Sequence, residues 1–415
     1  MHSKYAGACS EHLNLESIGG TAAEKGIRIV GTGDFTHPLW FSEIKEKLTE
    51  AEEGSGLFKL GNSPTRFMLS SEVCTIFEHK AAARKIHHVI LAPGIEVVEQ
   101  INASLSKYGS LQSDGRPILN KMTPAHLVEI VMGISKDAFV FPAHTWTPWY
   151  GALGAFSGFN SIKDAYEDQA RHIHALETGL SSDPPMNWRI SELDKYTLIS
   201  GSDAHSLPKM GREAIIVDMD ERPSYGKVIS SIKEKKLKMT IEFYPEEGKY
   251  HFDGHRNCNV SLSPDAARKY NGRCPVCGKS LTIGVLHRIE ELADREEGFV
   301  PKGSIPYVHA IPLQEVIAYV TGKGEGTAYV HDTYGKLMAE FGSEFNVLLK
   351  SDPESIGNVD KELGRAISNV REEKVSITPG YDGVFGIIDI FNRVKKEKKQ
   401  GRQSVMKDFP SGASQ

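Results

Sequence analysis

Residues 27–37 read IRIVGTGDFTH, a short aliphatic run that ends in glycines, a carboxylate and an imidazole. The run Ile27–Gly31 has the composition of a buried β-strand, because β-branched residues favour the extended conformation. Asp34 and His37 follow it directly. This stretch therefore predicts a strand whose carboxyl end carries polar side chains.

The same arrangement recurs down the chain, with helix-like segments such as Pro124–Met132 between the runs. The further predicted strands are His88–Ala92, Ala138–Pro142, Ala175–Glu177, Thr197–Ser200 and Ala214–Val217. Alternation of this kind predicts an α/β fold with parallel strands and crossover helices. Since the carboxyl ends of parallel strands meet on one face, the polar residues that follow these strands should converge there.

Composition excludes several classes of protein. The 415 residues predict two or three domains, and no apolar run is long enough for a transmembrane helix. The first residues lack the apolar stretch of a signal peptide, so we expect a cytoplasmic protein with no membrane partner. Five cysteines are too few for a disulfide scaffold, and 49 Lys plus Arg against 54 Asp plus Glu give a net charge of −5, which argues against a globally basic nucleic-acid binder.

Changes in composition divide the chain into four predicted segments. Residues 1–245 hold the strand and helix alternation, and residues 246–297 hold three of the five cysteines. Residues 298–392 read as a helical C-terminal domain. Residues 393–415 are basic and then rich in Pro, Ser, Gly and Gln, which predicts a disordered tail.

Imidazoles and carboxylates in the first segment form a candidate centre for divalent metal ions, which prefer such ligands. The candidates are His2, Asp34, His37, Glu72, His87, His88, His144, Asp203 and His205. Each residue alone is weak evidence, because a histidine after a buried strand is more often a hydrogen-bonded structural residue. Their joint order along the chain carries the prediction, and Glu177 at the end of another strand receives a supporting role.

Together, His2-Ser3, the motif 31–38 (GTGDFTHP), Glu72, His87-His88 and the motif 201–205 (GSDAH) resemble the PHP (polymerase and histidinol phosphatase) phosphoesterases. The resemblance implies a distorted (β/α)7 barrel that holds two or three divalent cations, which are zinc, manganese or magnesium. It also implies catalytic roles for Glu72, as a bridging carboxylate, and for His144 and Asp203, and it favours His88 over His87 as a ligand. Such cations hold a phosphodiester and activate a water, so no side-chain nucleophile is required.

The family pattern opens with His-x-His at the end of the first strand, whereas Met1 occupies the middle position of that motif here. The first histidine of the motif would therefore lie one residue ahead of Met1. Two interpretations remain open. Either the first residue of the sequence is assigned too late, so that a strand and a ligand are missing from it, or one metal position lacks its ligand.

The second segment predicts a closed structural zinc site. His255 and Cys258 form one close pair of ligands, and Cys274 and Cys277 form a second pair after a gap of fifteen residues. His251 is an alternative fourth ligand, although the two-residue spacing favours His255. A site with four protein ligands leaves no open position, so its predicted role is in folding and not in catalysis.

The order of barrel, zinc module and helical segment is similar to the endonuclease Q family across nearly the whole chain. That resemblance implies a metal-dependent DNA repair endonuclease, which recognises deaminated bases (uracil, hypoxanthine, xanthine) and abasic sites and cuts on their 5′ side. Trp146, Trp149 and Tyr150 follow His144 closely and are candidates for contacts with DNA bases. Packing at the mouth of the barrel is the plainer interpretation of these aromatics.

Two other functions compete with the nuclease. One is a PHP phosphatase of small phosphate monoesters, and the other is a non-catalytic DNA-binding scaffold. A further partner is suggested by Gln403, Met406 and Phe409, whose spacing is that of a peptide that binds a sliding clamp such as PCNA. The motif is short and degenerate, so chance explains it equally well.

Overall fold

The computed structural model describes residues 1–219 and 222–392 and has a mixed α/β architecture. The first part of the chain contains α1 (Leu15–Lys25), β1 (Ile29–Gly31), α2 (Pro38–Lys47), β2 (Leu48–Glu50), β3 (Phe58–Leu60), β4 (Arg66–His79), β5 (Ala82–Ala92), α3 (Ile95–Leu105), β6 (Ile118–Asn120), α4 (Pro124–Ile134) and β7 (Phe139–Pro142). It continues with α5 (Ile162–Tyr166), β8 (Ala175–Glu177), α6 (Pro184–Trp188), β9 (Thr197–Ile199), β10 (Ala214–Val217), α7 (Tyr225–Lys233) and β11 (Leu237–Glu242).

The rest of the described chain is richer in helix. It contains β12 (Asp253–His255), β13 (Val260–Leu262), α8 (Pro264–Lys269), α9 (Val285–Leu292), β14 (Tyr307–His309), α10 (Leu313–Thr321), α11 (Ala328–Phe341), α12 (Glu344–Leu349), α13 (Pro353–Val359), α14 (Lys361–Arg371), β15 (Ser376–Thr378) and β16 (Ile387–Asp389). The helices α10 to α14 surround their own apolar core, which includes Leu313, Leu337 and Leu363. The predicted helical segment also contains three strands, and β14 pairs with β11.

The strand directions differ in part from the expectation. β1 pairs with β4 and β8 pairs with β9 in parallel, as predicted. However, β4 and β5 form a long antiparallel hairpin, and β7 is antiparallel to β5. The turn between β4 and β5 contains Lys80 and Ala81, both with positive φ. A connection this short cannot make the crossover that parallel neighbours require, which takes about a dozen residues or more.

The hairpin positions two groups of side chains on opposite faces. Glu72 lies opposite Val89 and Cys74 lies opposite His87, so these four residues share one face of the hairpin. His88 lies opposite Val73 and therefore points to the other face. Two adjacent histidines in the sequence are thus separated by the thickness of the sheet.

A buried ion pair joins α1 to the C-terminal helices. Lys25 Nζ lies 2.6 Å from Glu344 Oε2, and each side chain is only 3% exposed. The Glu344 carboxylate also accepts hydrogen bonds from the Tyr334 hydroxyl and the Leu313 N–H. The pair therefore sits within a satisfied polar cluster at the contact between the two parts of the chain.

We expect Lys25→Met to lower the free energy of unfolding by about 3–5 kcal/mol, because it leaves the Glu344 carboxylate buried without its counter-ion. Urea denaturation measures this loss. Lys45→Met is the matched control: its pair with Glu99 is about half exposed on both sides, so it should cost about 1 kcal/mol or less. Equal losses in the two variants would contradict the prediction.

Candidate active site

Three predicted residues, Glu72, His87 and His144, bring their ligand atoms within 4.8 Å of one another. Glu72 Oε1 lies 2.7 Å from His87 Nδ1 and 3.4 Å from His144 Nε2. Glu72 and His87 come from adjacent strands of the hairpin, and His144 follows the end of β7. Glu72 and His87 therefore reach the site from within two antiparallel strands and not from the carboxyl ends of parallel strands, whereas His144 follows the end of its strand as expected.

A second group adjoins the first and consists of His2, Asp203 and His205, whose ligand atoms also lie within 4.8 Å of one another. His2 links the two groups, since its Nε2 lies 3.1 Å from Glu72 Oε2 and 3.3 Å from Asp203 Oδ1. Asp34 holds the other side of that imidazole, with Oδ1 2.8 Å from His2 Nδ1. The second Asp34 oxygen accepts hydrogen bonds from the N–H and the hydroxyl of Ser3.

Three ionisable side chains at the site have pKa values that differ from those of the same side chains in water. Burial by itself would raise the pKa of Glu72, but the charge of His87 and hydrogen bonds from His144 and His2 hold that pKa well below its usual range. Burial by itself would lower the pKa of His2, but the surrounding carboxylates hold it well above its usual value. Burial raises the pKa of Glu177 to about 7. Such a concentration of shifted groups is typical of a functional site.

The donors fit divalent cations. Glu72 Oε1 is buried and lies close to the imidazoles of His87 and His144, and the other nitrogen of His144, Nδ1, is buried without a hydrogen-bond partner. His87 Nδ1 and His144 Nε2 also lie only 3.1 Å apart, and imidazole nitrogens and a carboxylate oxygen that converge in this way are suited to a common cation. Glu177 fixes the backbone at His144, because its Oε2 accepts a hydrogen bond from the His144 N–H at 2.7 Å.

The backbone at the site is unusual. Asp34, His144 and Asp203 have φ values of 48°, 31° and 42°, in the left-handed region that most residues avoid. Gly201 allows Glu177 to approach closely, since a Cβ there would lie 2.2 Å from Glu177 Oε1. Strained backbone at several neighbouring polar residues is common where side chains are held for function.

Three predicted ligands, Asp34, His37 and His88, do not join these groups, and the Asp34 oxygens bond His2 and Ser3 instead. His88 is fully buried, with Nε2 2.9 Å from Thr75 Oγ1 and Nδ1 2.9 Å from the Tyr166 hydroxyl. Both its nitrogens are therefore occupied, and the structure favours His87 over His88, the reverse of the expectation from sequence. His37 stacks on Tyr5 with ring centroids 4.4 Å apart, and its Nδ1 has no hydrogen-bond partner.

Of the aromatic candidates, one is buried and two lie nearer the surface. Trp146 is fully buried and donates a hydrogen bond from its indole to Asn187, so it packs in the core. The Tyr150 ring contacts the His87 ring at 4.4 Å between centroids. Trp149 is 39% exposed and stacks on Phe156.

Arg116 is a site residue that the sequence analysis missed. Its guanidinium lies 3.7 Å from Glu72 Oε1, which places a fixed positive charge beside the candidate metal ligands. Arginine favours phosphate because its planar fork of donors matches two oxygens at once. It stands in the sequence SDGRP, which matches no motif considered above.

The cysteine module also assembles as predicted from its spacing. The ligand atoms of His255, Cys258, Cys274 and Cys277 all lie within 4.8 Å of one another, which fits one tetrahedral ion. His251, the alternative ligand, is buried outside this group, and burial lowers its pKa to about 4.

The clamp-binding hypothesis concerns Gln403, Met406 and Phe409, which lie outside the residues that the structure describes.

Within residues 1–219 and 222–392, no helix is long and apolar enough to cross a membrane.

Two solved structures share this fold. The lesion-specific endonuclease PfuEndoQ from Pyrococcus furiosus is 31% identical with a TM-score of 0.82, and the match covers 96% of each chain. A structure of Endonuclease Q in complex with a 27-mer duplex substrate, with an abasic lesion at the active site, matches with the same identity and TM-score. It covers 96% of this chain and 98% of the other.

Curated relatives match over different lengths. The uncharacterized protein YqxK of Bacillus subtilis is 29% identical over 387 residues, which are 91% of this chain and 92% of YqxK. The uncharacterized protein MJ0043 of Methanocaldococcus jannaschii is 32% identical over 249 residues, so the match spans 59% of this chain but only 31% of MJ0043. The family model for the MJ0043 C-terminal domain matches residues 312–374. The 31% identity and common fold over 96% of both chains place this protein in the endonuclease Q family.

Proposed function

We propose that this protein is a metal-dependent DNA repair endonuclease, a hydrolase that cuts a phosphodiester bond next to a damaged nucleotide. The observation that carries the proposal is the pair of donor groups joined through Glu72 and His2. They occur in a chain whose family includes a lesion-specific endonuclease and an enzyme bound to duplex DNA with an abasic lesion. Deaminated bases (uracil, hypoxanthine, xanthine) and abasic sites are the proposed lesions, with the cut on their 5′ side.

The finer assignments belong to the same proposal. Residues 1–245 form a PHP-type (β/α)7 barrel, residues 246–297 a zinc module, and residues 298–392 a largely helical domain. Two or three divalent cations, which are zinc, manganese or magnesium, occupy the barrel site. Its proposed ligands are His2, Glu72, His87, His144, Asp203 and His205.

The chemistry follows from the groups that surround the site. When bound, divalent cations there supply Lewis-acid stabilisation of phosphate oxygens and a more acidic water. Asp34 orients the His2 imidazole, and Glu177 fixes the backbone at His144. Arg116 is positioned to bind a non-bridging phosphate oxygen. The Tyr150 ring, in contact with His87, is the proposed surface on which a displaced base would stack.

A nicking assay tests the function. We expect cleavage of a 5′-labelled duplex that contains one deoxyuridine, deoxyinosine or abasic site, in the presence of manganese or magnesium. Undamaged duplex and the Asp203→Ala variant should give no product. Release of phosphate from p-nitrophenyl phosphate without any nicking would instead establish a monoesterase and overturn the proposal.

The two adjacent histidines give a sharp prediction. We expect His87→Asn to lose at least one bound cation and to lower the nicking rate by about 10- to 100-fold or more, because it removes a donor beside Glu72. His88→Asn should lower the melting temperature, since its two buried hydrogen bonds change, while the cation content stays the same. Metal analysis by mass spectrometry measures the difference. Cation loss in the His88 variant alone would contradict this assignment.

A further inference from the structure

Residues 202–205 carry two proposed metal ligands, Asp203 and His205, and lie outside any helix or strand. They follow β9, which ends at Ile199. Asp203 has a φ of 42°, in the left-handed region that favours glycine. A residue with a side chain stays in that conformation only where its surroundings hold it. The segment therefore needs contacts that fix its backbone before its two ligands can meet one cation.

One side chain, that of Arg212, bonds the backbone of this segment twice. Its Nε donates to the Ser202 carbonyl at 2.8 Å, and its Nη2 donates to the Asp203 carbonyl at 3.2 Å. The guanidinium is planar and its donors point in fixed directions, so two bonds to successive carbonyls restrict both the position and the orientation of the segment. In the described part of the chain, these carbonyls are the only hydrogen-bond acceptors of the guanidinium, which forms no ion pair.

Ser202 strengthens the contact between the two segments. Its hydroxyl donates to the Glu213 carbonyl and accepts from the Gly211 N–H, each at 3.2 Å. The segment that carries the ligands and the segment just ahead of β10 are therefore joined by four hydrogen bonds, two of them from Arg212.

The Asp203 carbonyl also fixes the position of the proton on His205. His205 Nδ1 lies 2.9 Å from this oxygen. A carbonyl can only accept, so Nδ1 carries the proton and the lone pair lies on Nε2, which is the nitrogen that can bind a cation. One carbonyl oxygen thus accepts from Arg212 and from His205, and it connects the arginine to both proposed ligands of the segment.

We infer that Arg212 is a positioning residue, which holds Asp203 and His205 in the geometry in which both bind the same cation. The inference rests on the metal site of the proposed function. Arg212 acts through the backbone, because its hydrogen bonds go to carbonyls and not to the Asp203 carboxylate. Arg116, by contrast, lies beside a ligand side chain, 3.7 Å from Glu72 Oε1.

The charge of Arg212 and its hydrogen bonds have opposite expected effects on metal binding. A positive charge near a cation site repels the cation, so removal of the charge alone would strengthen binding. Loss of the hydrogen bonds would weaken binding, because Ser202 and Asp203 are partly exposed and water can satisfy their carbonyls once the segment relaxes. The direction of the change in cation affinity therefore separates the two effects.

The test is a titration of the purified protein with manganese, in which electron paramagnetic resonance measures the free ion. We expect Arg212→Ala to weaken the binding of at least one Mn²⁺ ion by about 10- to 100-fold, the usual cost of losing a group that orients a metal ligand. Manganese is the probe because it prefers carboxylate and imidazole to the thiolates of the cysteine module. Arg212→Lys keeps the charge but not the planar fork, so it should also weaken binding, and it decides the question if the alanine variant does not fold.

Arg371→Ala is the matched control. The Arg371 guanidinium makes the same pair of bonds, to the carbonyls of Val347 and Leu348, both at 2.7 Å, but it does so between α14 and α12. This variant should bind Mn²⁺ as the unmodified protein does. Unchanged or tighter Mn²⁺ binding in a folded Arg212 variant, or equal weakening in the Arg371 variant, would overturn the inference. Normal Mn²⁺ affinity with weaker binding of damaged duplex would also overturn it, since Arg212 would then be a DNA contact.

The Mn²⁺ affinities do not depend on cleavage of DNA. If the unmodified protein binds Mn²⁺ and Arg212→Ala weakens this binding, but neither protein nicks DNA, the proposed function fails and the role of Arg212 stands. If the unmodified protein nicks damaged DNA and the Arg212 variants keep their Mn²⁺ affinity, only the role of Arg212 fails. An unmodified protein that binds no Mn²⁺ would overturn both.

Discussion

Replacing Glu72 with glutamine will reduce the rate of nicking of damaged DNA by about 10³-fold or more. When the groups of a catalytic site act together, removal of one group abolishes most of the rate enhancement that they provide jointly. Glu72 is the carboxylate that contacts His87 and His144 through one oxygen and His2 through the other. Glutamine has the same shape but no negative charge, so it cannot neutralise cations at this point. Single-turnover nicking rates and metal content measure the effect.

The matched control lies on the same strand. Glu78 is exposed near the end of β4, and Glu78→Gln makes the same chemical change far from the donor groups. We expect this variant to keep the nicking rate and the cation content of the unmodified protein. Unchanged circular dichroism and unchanged binding of damaged duplex would show that Glu72→Gln acts on the chemistry. If both variants nick at the same rate, Glu72 is not part of the catalytic site.

The sequence predicted most of the candidate site because polar residues follow apolar strands. His144 follows β7, and Asp203 and His205 follow β9, at the strand ends where the sequence predicts polar residues. Glu72 and His87 lie within the antiparallel hairpin, so their convergence depends on strand pairing. The choice between His87 and His88 could not be predicted in the same way. Adjacent residues of a strand face opposite sides, and only the pairing of Cys74 with His87 shows which side faces the other donors.

The fold prediction was incomplete for a similar reason, because the sequence pattern does not show which strands pair. The strands Ala175–Glu177 and Ala214–Val217 begin and end where the sequence predicts. The hairpin of β4 and β5 was not predicted, because alternation of strands and helices indicates crossovers and does not reveal two strands joined by a tight turn. Arg116 was missed because a single arginine outside any motif carries no signal, and its role depends on a contact between distant segments.

We expect that loss of the zinc ion proposed for His255, Cys258, Cys274 and Cys277 will unfold the cysteine module while α1 to α7 remain folded. The apolar core of the module consists of only four buried residues, Val260, Ala267, Cys274 and Leu281. So small a core cannot stabilise the segment alone, whereas a structural zinc ion contributes roughly 10–16 kcal/mol of apparent binding energy at pH 7. We therefore expect Cys274→Ser to retain one zinc ion fewer per chain and to become sensitive to trypsin within residues 253–282.

Trypsin suits this test because Arg268, Lys269 and Lys279 already lie exposed within the module and need only local unfolding to be cut. Cys74→Ser is the matched control, since Cys74 is buried in β4 outside the zinc group and its variant should keep the ion and resist cleavage. The module also supports its neighbours: Asp382 accepts hydrogen bonds from Thr282 and from the Arg256 N–H. Cleavage should therefore spread to the segment between β15 and β16 but spare α1 to α7. A Cys274 variant with its full zinc content and no new cleavage would rule out a structural role for this ion.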